Sequence, residues 1–281
     1  MGQERRNPSG LLGDTAARDY ARKLRLFSAF AEPELWQAVA DLAIEPGSRV
    51  LDAGCGTGEA LRWLAAAAGA QGRVIGLDLS TAHVSAARRS LCDRAGVVQA
   101  DLLRPPFAAG RFDLIWAVNT VNHVRDPDAA LAQLRPLLAA GGRLALGQSA
   151  LLPEMYFAWD ARLERLTHEA VRRYYLERYG LEEQELTAVR AIVGLLRRAA
   201  LREICVHTYL IERIAPLRAA DEAYLLEAIF RGTWGERLRP YLPAADYQSL
   251  TELCDPEHPG FALARPDFHF LQTFTVAVGT A

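Results

Sequence analysis

Three glycines at alternate positions, Gly54, Gly56 and Gly58, follow a short apolar run ending in Asp52 and precede a helix-patterned stretch with Leu61, Leu64, Ala65 and Ala68. Glycine permits positive φ and lets a ligand lie directly against the backbone. A strand-to-helix turn of this kind, beside the switch point of an open α/β sheet, is a nucleotide-binding position. Its chemistry is not that of a phosphate grip. A dinucleotide fingerprint needs glycine where this chain has Glu59, and no Gly-Lys-Ser/Thr follows to make a P-loop. Asp52 would repel phosphates and suits a cationic or amine-bearing ligand. Two further acids, Asp78 and Asp101, close later apolar runs. Three acids at successive strand ends fall along the carboxyl edge of one sheet.

The elements that must position these groups are legible as alternating periods. Strands are predicted at 49–52, 74–78, 97–101, 112–119 and 143–148, with helices between them. Ser80 suits the N-cap of the helix after the second strand. Asp126-Pro127 opens a helix that Gly141-Gly142 stops. The run 112–119 is apolar enough to be buried on both faces. Before the sheet, helices are predicted from about Thr15 to Phe30 and from Glu32-Pro33 onward. After it, residues 151–181 read as helical and aromatic-rich, 182–199 as a helix and 203–212 as a strand. Residues 216–259 read as a second helical stretch and 268–278 as a last strand. Eight of the nine tyrosines lie between Tyr156 and Tyr247. Such a cap either walls an apolar pocket or uses its aromatics as its own core. The expected fold is α/β: a Rossmann-like, mostly parallel seven-stranded sheet with helices on both faces and a helical cap. The expected division is an N-terminal helical lid (1–45), a ligand-binding core (46–150), and the remaining strands with two cap insertions (151–181 and 216–262).

The 281 residues suit one large domain or one domain with a sizeable insertion. With 51% hydrophobic and 23% charged residues, a disordered, collagen-like or coiled-coil chain is excluded. A net charge of -2 gives no global field toward nucleic acid or an anionic membrane. Lys23 is the sole lysine, and the arginine excess reads as coding bias. No run is long enough for a membrane span. The polar residues 1–13 do not read as a secretory signal. Cys55, Cys92, Cys205 and Cys254 are scattered, as reduced thiols in a cytoplasmic protein would be. No metal site is expected: His168-Glu169 would need a histidine where Arg172 stands, and Asp255-Pro256-Glu257-His258 lies in a proline-rich turn.

The segment Asp52-Ala53-Gly54-Cys55-Gly56-Thr57-Gly58 resembles the first motif of the class I S-adenosylmethionine-dependent methyltransferases. Gly76-Leu77-Asp78-Leu79-Ser80 is similar to the second, Gln99-Ala100-Asp101-Leu102 to the third, and Phe112–Asn119 to the fourth strand. Residues 137–144 are similar to the family's turn into strand five. The resemblance covers 49–149 closely. It implies S-adenosyl-L-methionine as cofactor, held by Asp52, Gly54, Cys55, Gly56 and Gly58. It also implies that Asp78 and Leu79 meet the ribose, Asp101 and Leu102 the adenine, and Asn119 the methionine end. Cys55 reads as a small packing residue of the loop rather than a nucleophile.

The family needs alignment of a nucleophile with the S–CH₃ bond more than any fixed catalytic residue. A base is needed only for a protonated acceptor. His123, just past the fourth strand, is the candidate base, since an unperturbed imidazole can accept a proton at neutral pH. Its alternative is to shape the pocket. Tyr20 is the candidate to close over the sulfonium, as N-terminal tyrosines do in related enzymes. The Asp/Asn-Pro-Pro-Tyr motif of base and glutamine methylators is absent after strand four, where the chain reads Asn119-Thr120-Val121-Asn122-His123. The expected substrate is therefore a small, lipophilic or aromatic metabolite, with no nucleic acid or membrane partner. The rival readings are a cofactor-binding protein that catalyses another reaction and an RNA or protein methyltransferase. Oligomeric state and the acceptor atom are not readable.

Overall fold

A computed structural model describes residues 20–90, 95–150, 156–157, 160–180, 182 and 188–281. The chain enters through two short helices, α1 (Ala21–Phe30) and α2 (Glu32–Asp41). Then come β1 (Arg49–Ala53), α3 (Glu59–Ala68), β2 (Arg73–Asp78), α4 (Thr81–Ser90) and β3 (Ala95–Gln99). The second half of the core is β4 (Phe112–Val118), α5 (Pro127–Leu134) and β5 (Leu138–Ser149). A two-residue β6 (Tyr156–Phe157) and a long α6 (Ala161–Tyr179) follow, then α7 (Ile192–Arg198) and β7 (Arg202–Ile214). The chain closes with α8 (Ala219–Ala223), a π-helical stretch (Tyr224–Trp234), α9 (Ala244–Cys254) and β8 (His269–Thr280).

Seven full strands form one sheet in the order β3-β2-β1-β4-β5-β8-β7. The short β6 lies on β8 beyond the end of β5. The pairs from β3 to β5 are parallel, and β8 runs antiparallel to β5 and β7. Order reverses between β1 and β4. Right-handed crossovers therefore put α3 and α5 on opposite faces. One core joins α1, α2, α3 and the cap to Val50, Leu114 and Trp116. The other joins α5 and α7 to Leu51, Ile115 and Leu144. β4 is buried along nearly its whole length, as its unbroken apolar run demands.

Several boundaries differ from the sequence expectation. β3 spans 95–99 rather than 97–101, because Asp78 pairs with Gln99 and Asp101 already bends the chain. α5 stops at Leu134, before Pro136, which cannot donate to a continuing helix. β5 then starts at Leu138 and runs through the glycine pair expected to precede it. Residues 156–157 form a strand inside a stretch expected to be helical. The expected helix over 182–199 is a 3₁₀ turn (Ala188–Ala191) followed by α7. Expected helix at 15–19, 151–155, 158–159 and 183–187, together with Cys92, lies outside the described residues. No helix among the described residues is long and apolar enough to cross a membrane.

Candidate functional site

The glycine turn is built from β1 outward. Leu77 O accepts from both Gly54 N–H (2.7 Å) and Cys55 N–H (3.0 Å), which folds the loop back over the end of β2. Gly54 has φ +85°, and a Cβ there would fall on the Thr120 side chain after β4. Gly58, at φ +88°, is the N-cap of α3. Asp78 ends β2 and organises the loop from the other side. Its Oδ2 accepts from Gly56 N–H (2.9 Å) and its Oδ1 from Ser80 N–H (2.8 Å). His83 Nδ1 lies 3.2 Å from the same Oδ1. Leu79 follows directly, partly exposed at the loop.

Asp52 sits beside Trp116 in the β1–β4 register and is 3% exposed. Its Oδ2 is buried with no hydrogen-bond partner. Burial pushes its carboxyl up to about 8, and the negative charges of Asp78 and Glu59 add to the rise. It lines a recess of about 80 Å³ with Glu59, Trp63, Trp116, Phe27 and Asn119. A buried acceptor with no donor, walled by aromatics, is a seat for a cation or a protonated amine.

Asp101 lies two residues past Gln99, beyond the end of β3 where it was expected to close the strand. Its Oδ1 accepts from Leu103 N–H (2.9 Å) and its O from Arg104 N–H (2.9 Å). It therefore caps a turn whatever else it does, and Leu102 is the first residue of that turn. Asn119 has φ +51°, a conformation asparagine tolerates better than most side chains. Its Oδ1 accepts from both Ser149 N–H and Ser149 Oγ, each at 2.8 Å, clamping the ends of β4 and β5. His123 ends a 3₁₀ turn (Val121–His123), with its N–H on Thr120 O at 2.9 Å. It is half-buried and does not line the recess under Asp52. Cys55 is 7% exposed, and burial raises its thiol well above the usual value, so it packs rather than reacts.

Helix α1 lies across the loop. Leu24 and Phe27 line the recess, and a Cβ on Gly56 would come within 3.0 Å of Leu24 Cδ1. Tyr20 is 36% exposed and is not a lining residue. The far end of α1 is pinned. Phe30 is fully buried and stacks on Tyr224 at 4.3 Å. Phe30 O accepts from Arg213 Nη2 (2.6 Å) and Arg218 Nη2 (3.1 Å). Arg213 also pairs with Glu34 and Asp221. A ligand lying against Gly56 must displace Leu24, which would stand 3.0 Å from a Cβ there, so α1 is expected to move about its pinned end on binding. Hydrogen exchange over residues 20–30 is expected to be faster than in β1 and β4, and to slow on ligand addition. Equal protection in both states would show that α1 is fixed.

The cap aromatics mostly pack on one another. Phe230 stacks on Trp234 at 5.4 Å, and Tyr174 meets Tyr175 and Tyr241 edge-on at 5.5 and 6.3 Å. They form the cap's own core. The aromatics that reach the recess are Phe27, Trp63 and Trp116, from outside the cap. Sequence reasoning missed these, with Thr120, Ser149 and His83. The available signal was positional: Trp116 shares β4 with Asn119, and His83 lies in the first turns of the helix after Asp78.

Residues 50–142 match the family model described as a methyltransferase domain. Methyltransferase GfsG of Streptomyces halstedii is 36% identical over 110 residues, 37% of this chain and 39% of that protein. The chloroplastic tocopherol O-methyltransferase of Arabidopsis thaliana is 27% identical over 218 residues, 72% of this chain and 51% of that protein. The matches thus span between 39% and 51% of these relatives' lengths. Among solved structures, a SAM dependent methyltransferase from Aquifex aeolicus superposes with a TM-score of 0.50 at 18% identity, covering 68% of this chain and 91% of that one. That likeness is one of fold.

Proposed function

We propose that this chain, whose residues 50–142 match a methyltransferase-domain model, is a class I S-adenosylmethionine-dependent methyltransferase that transfers the methyl group to a small, apolar or aromatic metabolite. The observation that carries this reading is the pair of acids flanking the glycine turn. Asp52 offers a buried oxygen with no donor, fit for the ammonium of an amino-acid end. Asp78, at the end of the adjacent strand, is a carboxylate already oriented by three N–H groups and fit for ribose hydroxyls. Glycine backbone lies between them, under Leu24 of α1.

The cofactor supplies an activated methyl group on a sulfonium. The chain's own residues bind, orient and exclude water. Asp101 and Leu102 border the adenine end, and Leu79 the ribose. Asn119, clamped to Ser149, borders the methionine end. Leu24 and Phe27 of α1 line the recess, and Tyr20 is the group proposed to close over the sulfonium. His123 takes the proton of a hydroxyl acceptor. Of the expected lid over 1–45, helix α1 is the part proposed to move; 46–150 act as the cofactor core, and the described residues after 155 complete the sheet and cap it. An apolar acceptor is supported by the lining of Leu24, Phe27, Trp63 and Trp116. The acids Asp52 and Glu59 oppose an anionic one, and the relative named for tocopherol agrees.

Calorimetric titration with S-adenosylhomocysteine tests the cofactor reading. Asp78→Ala is expected to weaken binding about ten- to a hundred-fold, since charge-assisted hydrogen bonds contribute about 1.5–3 kcal/mol. Unchanged affinity, or competition by NAD, overturns it. Incubation with candidate lipophilic phenols and quinols tests the reaction. Release of S-adenosylhomocysteine with methylated acceptor is expected. Acceptor consumed without that release would identify a different chemistry.

A further inference from the structure

We infer that His83 latches the lid helix to the ribose-binding acid, so that ligand binding at Asp78 and closure of α1 are coupled through one imidazole. His83 sits in the third position of α4 and is 6% exposed. Its Nε2 lies 3.0 Å from the backbone N of Tyr20, the N-cap of α1. A backbone N–H can only donate, so Nε2 is the acceptor and the ring proton sits on Nδ1. Nδ1 then donates to Asp78 Oδ1 at 3.2 Å. The imidazole is thus used at both nitrogens, in one defined tautomer. It joins the N-terminal end of α1 to the acid that also holds the glycine loop through Gly56 N–H.

The placement makes this more than packing. α1 is pinned at Phe30 by a buried arginine and a stacked ring, and near its other end Arg22 pairs with Glu227. Movement about Phe30 carries Tyr20 farthest, and the contact at His83 is the tie at that end that reaches the acid of the glycine loop. When Asp78 is engaged by ribose hydroxyls, the carboxylate is fixed. His83 is fixed by it in turn, and so is the acceptor that receives Tyr20 N–H. His83 is a positioning residue: it acts on the ligand through Asp78 and on the lid through the backbone.

The inference rests on the assignment of Asp78 to the cofactor, and the experiment separates the two. S-adenosylhomocysteine affinity is measured by calorimetry, and exchange over residues 20–30 by mass spectrometry with and without it. The wild type should bind and show slowed exchange over 20–30. Its failure to bind would overturn the cofactor reading itself. His83→Leu should bind about tenfold more weakly, and exchange over 20–30 should no longer slow on saturation. His83→Gln, whose amide offers a donor toward Asp78 and an acceptor toward Tyr20, should recover most of both effects. Tyr20→Pro deletes the backbone N–H that His83 receives, together with the side chain, and restricts φ. It should lose the slowing relative to Tyr20→Ala, which keeps that N–H. This second pair keeps the test intact if His83→Leu folds poorly. Slowing of 20–30 in a saturated His83→Leu or Tyr20→Pro protein, as large as in wild type, would overturn the latch.

Discussion

His123→Ala is expected to lower kcat by about a hundred-fold or more while S-adenosylhomocysteine affinity stays within about twofold of wild type. A hundred-fold loss corresponds to about 2.7 kcal/mol of transition-state stabilisation. The physical case is positional. The chain leaves β4 at Val118, passes the clamped Asn119, and closes a 3₁₀ turn that ends on His123. That turn lies at the carboxyl edge of the sheet, across the order reversal from the glycine loop. A hydroxyl acceptor must lose its proton during transfer, and an imidazole near neutrality is matched to that task. The variant should also lose the acidic limb of the pH–rate profile. A fall of less than about threefold, with the limb intact, would show that His123 only shapes the pocket. The base would then be sought on α6, at His168, Tyr174 or Tyr175, or dispensed with.

Asp52→Asn should separate binding from folding. In the free protein the Asp52 carboxyl lies at about 8, far above its ordinary 3.8, because burial penalises the charged form and two nearby acids repel it. At pH 7 the group is mostly protonated, and an incoming ammonium favours its charged form. Binding should therefore expel close to one proton at pH 7. The measured enthalpy would then vary with the ionisation enthalpy of the buffer. The release should fade as pH rises beyond 9. Asp52→Asn keeps the shape but not the charge, so affinity should fall about ten- to a hundred-fold and the proton release should vanish.

Stability gives the matching sign. Between 3.8 and 8 the folded chain holds a proton on Asp52 that the unfolded chain has lost. Raising the pH through that window therefore favours unfolding, by about 1.4 kcal/mol per unit from this group. The slope flattens above 8. Asp52→Asn should lack this component, and should gain on the wild type as pH rises from 6 to 8 in urea denaturation. Equal slopes for the two proteins, with no proton released on binding, would place Asp52 outside the amine seat.

The sequence by itself determined the alternation of strands and helices from β1 to β5, the glycine turn, and the acids Asp52 and Asp78 at the ends of β1 and β2. These features are local: a period of two or 3.6, a glycine where φ is positive, an acid where an apolar run stops. They are written in neighbouring residues, so they survive without a fold. Element boundaries shifted where a partner strand or a proline intervened. Asp78 pairs with Gln99 and draws β3 two residues earlier, and Pro136 stops α5 short. What only the tertiary structure decided is which side chains meet. The tyrosines from 156 to 247 suggested a pocket wall or a private core, and packing put Tyr174, Tyr175, Tyr179 and Tyr241 against one another. The recess took Trp63 from α3, Trp116 from β4 and Phe27 from α1 instead. Asp52 reads as an ordinary carboxylate until the sheet buries it beside Asp78 and Glu59, which alone moves its titration into the neutral range. The contact between Tyr20 and His83 spans 63 residues of sequence and depends on a helix laid across a loop. No local pattern encodes such a pair, because burial and long-range contact are properties of the packed sheet and not of any segment within it.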